Sequence, residues 1–136
     1  MVQFFCPNCF ARVPSPHGAC PACGLDSREW VEHCSYTDRL IHALDHPISE
    51  VRMAGVISLG NRNDPSAALP LARCALKHPT DIVLAMEITA ALKKLPPGPE
   101  RNEAIAMVKT HPAQAVRDAA RLASNHSLDS FRMSRR

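Results

Sequence analysis

The sequence repeats itself with a period of just over thirty residues. Three His-Pro pairs, which begin at His46, His78 and His111, lie 32 and 33 residues apart. A short apolar run precedes each pair, and a valine stands four residues after each proline. A fixed period of this length is typical of stacked helical units, in which each unit buries its apolar face against the next.

Apolar residues on both sides of each pair recur at helical spacing. We therefore predict one helix before each pair, at residues 37–45, 65–77 and 99–110, and a second helix after it. The stripes expected to face the core on the three second helices are Val51, Ala54, Gly55 and Ser58, then Val83, Met86, Ala90 and Ala91, then Val116, Ala119, Ala120 and Ala123.

Prolines and their neighbours predict where the helices begin. Asp64 is suited to an N-cap and Pro65 to the first helical position. Gly98 and Pro99 are expected to start the next helix in the same way, although glycine offers no side-chain acceptor. Pro70 falls inside the helix predicted over residues 65–77 and is expected to kink it.

Over residues 37–125 this pattern resembles short HEAT repeats of the bilin-lyase type. The stretches that carry the resemblance are "HPISEVRMAGVISLG", the central "GNRNDPSAALPLARCALKHPTDIVLAMEITAALKKL" and "HPAQAVRDAARLA". The resemblance implies a mostly α fold, a short α-solenoid of about three helical hairpins. It also implies that a Val-Arg dipeptide opens each second helix and that its Arg ties the turn between helices to the neighbouring unit. Arg52 and Arg117 match this position, and Asp64 matches the capping Asp, whereas Leu84 and Gly98 replace these residues elsewhere.

The N-terminal segment contains two Cys-x-x-Cys pairs separated by ten residues. Each short turn can present two thiolates to one metal ion, and two facing turns complete the tetrahedral shell that zinc prefers. Because four cysteines leave no open position, the sequence predicts a structural zinc site. Iron in a rubredoxin-like site is the main competitor. The predicted ligands are Cys6, Cys9, Cys20 and Cys23.

Other interpretations of these cysteines fit less well. A disulfide frame is typical of exported proteins, and the N-terminus lacks the pattern of a signal peptide. A thioredoxin-like centre needs one such pair that opens a helix in a β/α pattern. His17, His33 and Cys34 are near enough in sequence to compete as ligands, but we expect loop histidines and an ordinary thiol instead.

The chain divides into four predicted segments. Residues 1–25 resemble the short zinc ribbons that begin many bacterial and archaeal proteins, and residues 26–36 are a connecting segment that contains Trp30, the single tryptophan. The helical repeats follow over 37–125, and a basic tail over 126–136 is expected to be flexible or bound to a partner. Two questions stay open: whether Trp30 anchors the ribbon to the first repeat or contacts a partner, and whether Phe131–Arg136 is buried or contacts one.

Composition limits the class of protein. Hydrophobic residues make up 46%, charged residues 21% and aromatic residues 4% of the 136 residues. These values suit a soluble helical protein with a core of Ala, Leu, Val, Ile and Met, and no apolar run is long enough to span a membrane. The cytoplasm is the expected location.

The expected function is that of a non-enzymatic scaffold or accessory subunit that binds a protein partner through the helical face and the ribbon. The chain has no Gly-rich phosphate loop, nucleophile elbow or His-Glu pair, so neither catalysis nor a small-molecule substrate is expected. Cys74 lies within a predicted helix and is expected to be a packing residue. The alternative is a nucleic-acid-associated accessory protein with the ribbon as reader and a basic face made by Lys93, Lys94, Arg101, Arg117, Arg121 and the tail.

Overall fold

The computed structural model describes residues 4–133, and the side chains through residue 124. It is mostly helical, with one small antiparallel sheet in which Phe4 pairs with Val13 and Phe5 with Arg12. Within the described residues the elements are β1 Phe4–Phe5, β2 Arg12–Val13, α1 Ser27–His33, α2 Tyr36–Ala43, α3 Ser49–Gly60, α4 Ala68–Lys77, α5 Ile82–Lys94, α6 Pro99–Val108 and α7 Gln114–Met133.

The helices from α2 onward, which we call the helical body, pack in a regular order. Consecutive helices contact each other in pairs, α2 with α3, α4 with α5 and α6 with α7. Alternate helices also pack side by side, α4 against α6, and α3 against α5 and α5 against α7. The core lies between these sets and includes fully buried leucines from three of the helices, Leu59, Leu71, Leu84 and Leu92.

The predicted helix starts are largely confirmed, with one correction. The Asp64 carboxylate accepts the N–H of Ser66, and Pro65 opens a single 3-10 turn that ends at Ala67. The α-helix begins only at Ala68, so Pro70 lies in its first turn instead of inside a longer helix. Proline costs little there because the first N–H groups of a helix have no partner within the helix.

Two of the three His-Pro turns share one hydrogen-bonded structure. Nδ1 of His46 accepts the N–H of Ile48 at 3.1 Å, and Nδ1 of His111 accepts the N–H of Ala113 at 3.0 Å. An arginine six residues after each histidine then donates to the carbonyl oxygen of that histidine, at 2.7 Å in both turns. These arginines are Arg52 and Arg117. They hold their own turn, whereas the resemblance implied a tie to the neighbouring unit.

The middle turn is built differently. The carboxylate of Asp81 accepts the N–H of Leu84 at 3.0 Å, and α5 begins at Ile82, three residues after its proline. Helices α3 and α7 begin only two residues after theirs. This shift of one residue corrects the sequence alignment, because Leu84 now corresponds to the valine of the other repeats and Ala85 to their arginine.

The same shift explains why two predicted core residues are exposed. Val83 is 71% exposed and Met86 is 40% exposed, while Leu84, Ala85 and Ile88 form the buried side of α5. In α3 the predicted Ala54 is also exposed, and the buried side comprises Gly55, Val56, Leu59 and Gly60. In α7 the prediction holds for Val116, Ala120 and Ala123, which are fully buried.

The segment predicted as a connection contains a helix. Asp26 caps α1 through the N–H of Arg28, at 2.9 Å, and Ser35 caps α2 through the N–H of Asp38, at 3.0 Å.

Toward the C-terminus, the backbone of α7 continues through Met133. The predicted burial or exposure of the Phe131–Arg136 side chains lies outside the described residues. None of the helices between residues 4 and 133 combines the length and apolarity needed to cross a membrane.

Gly60 marks the closest approach of α3 to α5. A Cβ atom added to Gly60 would lie 2.9 Å from the Cβ of Ala91, whereas at Gly55 the nearest atom would be 3.4 Å away. We expect Gly60→Ala to lower the free energy of unfolding by about 1–3 kcal/mol, because the two helices must move apart. Gly55→Ala is the matched control, and we expect no comparable loss because alanine favours the helix interior. Urea unfolding of both variants distinguishes these outcomes, and equal effects would contradict the prediction.

The buried His111 predicts loss of stability at acidic pH. Burial, assisted by the charge of Arg117, lowers the pKa of His111 below its usual value. The unfolded chain therefore takes up a proton more readily than the folded chain as the pH falls below about 6.5. We expect the free energy of unfolding to decrease from pH 7 toward pH 5, and to decrease less in His111→Asn, whose amide oxygen can accept the same N–H without titrating. Identical pH profiles would contradict this prediction.

Candidate metal centre

The first Cys-x-x-Cys pair lies in a turn between the two strands. The N–H of Cys6 donates to the carbonyl oxygen of Ala11, and the N–H of Phe10 donates to that of Cys6, both at 2.9 Å. These hydrogen bonds bring the chain back on itself after Cys9. Residues 4–25, which we call the ribbon, thus begin with a hairpin closed at its tip by two cysteines.

The second pair repeats this structure. The N–H of Cys20 donates to the carbonyl oxygen of Leu25 at 2.9 Å, and the N–H of Gly24 donates to that of Cys20 at 2.7 Å. Gly24 has a φ of 79°, in the left-handed region that glycine enters without a steric penalty. The two turns therefore present their thiols with similar local backbone geometry.

The four predicted cysteines lie together. All four sulfur atoms are within 4.8 Å of one another. The Sγ atoms of Cys6 and Cys23 are 3.6 Å apart, and those of Cys9 and Cys20 are 3.7 Å apart. Sulfur ligands about 2.3 Å from a tetrahedral metal would be separated by about 3.8 Å, whereas a disulfide requires about 2.05 Å. The donor set and its spacing fit a metal ion, and all four cysteines are free thiols.

The cluster has a buried side and an exposed side. Cys6 and Cys20, the first cysteine of each pair, are buried, while Cys9 and Cys23 are exposed. The N–H of Leu25 and the side chain of Asn8 lower the pKa of Cys23 to about 6, and the N–H groups of Cys23 and Ala22 lower that of Cys20. Hydrogen bonds of this kind favour the thiolate form that a metal binds.

Cys9 differs in its proton affinity. The N–H of Ala11 lowers the pKa of Cys9, but the partial loss of water and the hydrogen bonds that its thiol donates to the neighbouring cysteine sulfurs outweigh this effect and raise it to about 11. Metal binding must therefore displace a proton from this group.

The other candidate ligands lie elsewhere. Among residues 4–124, the only group of three or more His, Cys, Asp or Glu side chains close enough to hold a metal is this one, and His17, His33 and Cys34 do not belong to it. Cys74 is buried in the helical body, where burial raises the pKa of its thiol to about 11. A protonated, buried thiol is a packing group, as the sequence predicted.

The ribbon contacts the helical body through aromatic rings. The ring of Phe10 stacks on that of His42, with centroids 4.7 Å apart, and lies 4.8 Å from the ring of His46. The ring of Phe5 meets His46 edge-on at 5.2 Å. Phe10 also has a φ of 64°, which is rare for a residue with a bulky side chain.

A hydrogen-bonded chain links the cysteines to α2. Nε2 of His42 lies 2.6 Å from the carbonyl oxygen of Asn8 and must donate to it, since a carbonyl oxygen only accepts. The side chain of the same asparagine donates to Sγ of Cys23 at 3.7 Å. Asn8 therefore contacts both a cysteine of the cluster and the helix on which the ribbon lies.

Trp30 contributes to this contact region. Its ring lies 5.6 Å from that of His42, and it is half-buried. Trp30, Phe5 and Phe10 line a cleft of about 300 Å³ together with Arg39 and the two histidines. The structure thus places Trp30 against α2, while part of the side chain stays accessible.

Three adjacent helices of the helical body expose apolar side chains. Residues three and four apart share a helix face, which places Val83 and Met86 together on α5. Ile57 of α3 and Leu122 of α7 occupy the ninth position of their helices, and they are 42% and 62% exposed. Because α3 and α7 both pack against α5, these four exposed residues lie on adjacent helices, and we call them together the outer face.

The basic residues considered for a nucleic-acid surface do not form one face. Arg101 is 4% exposed and donates to the carbonyl oxygen of Leu95. Arg117 is bonded to its own turn, and Arg121 pairs with Asp118 at 3.0 Å. Of the described residues in this set, Lys93, Lys94 and Arg121 are exposed.

None of the protein-family models, curated proteins and solved structures with which the chain was compared matches it.

The sequence predicted the four cysteines but not the residues that hold the ribbon in place. His42 and Asn8 carry no motif, because their contact joins residues 34 positions apart. A signal for Phe10 was present, however. Aligning "CPNCF" with "CPACG" places Phe10 opposite Gly24, and a large aromatic ring at a glycine position indicates a docking contact.

Metal content tests the cluster directly. We expect about one metal ion per chain by plasma emission, and we expect Cys9→Ser to lose most of it because three thiolates bind a metal far more weakly than four. Cys34→Ser is the matched control, since Cys34 is a free thiol outside the cluster. Equal metal content in the two variants would contradict the assignment.

Proposed function

We propose that this chain is a non-enzymatic protein-interaction module, a scaffold or accessory subunit in which a structural metal site holds a small ribbon at the head of a helical stack. We further propose that the helical body is a short α-solenoid of about three HEAT-like hairpins. The packing of alternate helices supports this architecture, as do the two equivalent His-Pro turns of His46 and His111.

The outer face is the observation that carries the proposal. It contains four exposed apolar side chains on three adjacent helices, although the opposite side of the same helices already supplies the core. Isolated apolar residues are common on protein surfaces, but a group on adjacent helices is typical of a binding surface. The exposed faces of stacked helices commonly bind segments of other proteins.

The chemistry of the cysteine cluster supports a structural metal. Four thiolates fill a tetrahedral shell and leave no position for a substrate or an activated water. We propose zinc as the metal, with iron as the alternative that metal analysis distinguishes. Six free cysteines suit a reducing compartment, so we propose the cytoplasm as the location.

The nucleic-acid alternative has weaker support. The burial of Arg101 and the hydrogen bonds of Arg117 remove two of the expected cations from a contiguous surface. Phosphate binding would depend steeply on salt concentration. Retention of generic DNA or RNA at low salt that is lost at high salt would favour this alternative over a protein partner.

Substitution on the outer face tests the proposed function. We expect affinity purification of the full chain from its native host to recover a stoichiometric protein partner, identified by mass spectrometry. Met86→Asp combined with Val83→Asp should reduce recovery of that partner at least tenfold, because two charges would have to be desolvated in the contact.

The control uses an exposed apolar residue outside the outer face. Val31 of α1 is 46% exposed, close to the 40% of Met86, so Val31→Asp matches the single change Met86→Asp at a site outside the outer face. Circular dichroism confirms that both proteins are folded. Recovery of the wild-type chain as a monomer, or equal loss of the partner in both variants, would overturn the proposal.

A further inference from the structure

The ribbon has little within it to hold its fold. Its two strands contain two residues each, and none of its described residues belongs to the hydrophobic core cluster. Two-stranded hairpins are marginal in water, and segments of this size usually require a metal or a disulfide. The conformation of the ribbon therefore depends on the cysteine cluster and on the surface against which it lies.

That surface is unusually specific. α2 and the residues just after it present His42 and His46, four residues apart in sequence, and both rings contact Phe10. Phe10 follows the second cysteine of the first pair directly, so the position of its ring depends on how that turn is closed. Asn8, from the same turn, accepts the hydrogen bond of His42.

A second turn of the helical body serves as an internal comparison for the contacts of His46 with the ribbon. His46 and His111 form equivalent turns, with the same acceptor atom and the same arginine partner. Of these two histidines, His46 alone has a ring that contacts aromatic residues of the ribbon. The contacts of His46 with Phe5 and Phe10 are therefore an addition to a turn that is complete without them.

We propose that the cysteine cluster and α2 form a metal-dependent latch, in which metal binding seats Phe10 on His42 and His46, and metal loss releases the ribbon and exposes this surface. The proposal rests on the proposed metal site. Because the coupling between two sites is reciprocal, the same contacts must raise the affinity of the cysteines for the metal. His42 and His46 are then positioning residues for a metal that they do not touch.

The first arm of the experiment measures metal affinity. Zinc is titrated into the full-length chain in competition with a chromophoric chelator. We expect His42→Ala to weaken zinc binding about 10- to 100-fold, the range typical of residues that support metal ligands. We expect His42→Gln to recover part of this loss, since its amide N–H can still donate to the carbonyl oxygen of Asn8.

Matched variants separate docking from stability. His46→Asn and His111→Asn each keep a side-chain oxygen that can accept the N–H two residues later, and each removes an imidazole ring. We expect His46→Asn to weaken zinc binding at least several-fold and His111→Asn to leave it unchanged. Urea unfolding checks that the helical body of each variant is intact.

The second arm uses Trp30 as the reporter of release. As the single tryptophan, it reports on one location, the contact with His42. We expect a chelator to shift its emission to longer wavelength in the wild-type chain, and zinc to reverse the shift. His42→Ala without a chelator should already show part of the shift.

The outcomes distinguish the two proposals. A wild-type chain that binds no metal would overturn both the metal site and the latch. One zinc per chain with equal affinity in wild type, His42→Ala and His46→Asn would overturn the latch alone. The latch would also be overturned if the emission of Trp30 did not change on zinc removal.

Discussion

The close packing of α3 on α5 is the contact on which the helical body depends. At Gly60 the two backbones approach so closely that no Cβ fits beside Ala91. The buried leucines on either side can interlock only at this separation, because a gap of even one methylene group in a core loses contact energy. Small residues in α3 and α7 therefore reflect close helix packing, and the larger Leu84, Ile88 and Leu92 of α5 fill the space between them.

How far the sequence predicts this structure depends on the range of the interactions. The helices and their starts follow from local patterns, such as the cap of Asp64 and the proline after it. The buried side of α5 could not be predicted, since Val83, Met86 and Ala90 form as good an apolar stripe as the buried residues do. The buried side goes with the start of the helix, which lies one residue later than in α3 and α7 and is capped by Asp81.

In the cysteine cluster, too, the local geometry can be predicted from the sequence and the contacts between distant residues cannot. Spacing alone predicts that four thiols meet, because each pair lies within a five-residue turn whose geometry is local. The contact of the ribbon with α2 depends on residues about thirty positions away, and no local pattern marks His42 as its partner. The one local sign is at the end of the two turns, where Phe10 of the first corresponds to Gly24 of the second. This aromatic residue indicates that the first turn also contacts another part of the molecule.

Phe10 connects the ribbon to the helical body. A residue with a side chain enters the left-handed region only when its surroundings compensate the steric cost. Gly24 needs no compensation, and nothing lies within 4 Å of the point where its Cβ would be. At Phe10 the steric cost is compensated by the hydrogen bond from its N–H to the carbonyl oxygen of Cys6 and by the contacts of its ring with His42 and His46. The conformation of one residue thus depends on the cysteine turn and on α2 together, and this dependence couples the conformation of the ribbon to that of α2.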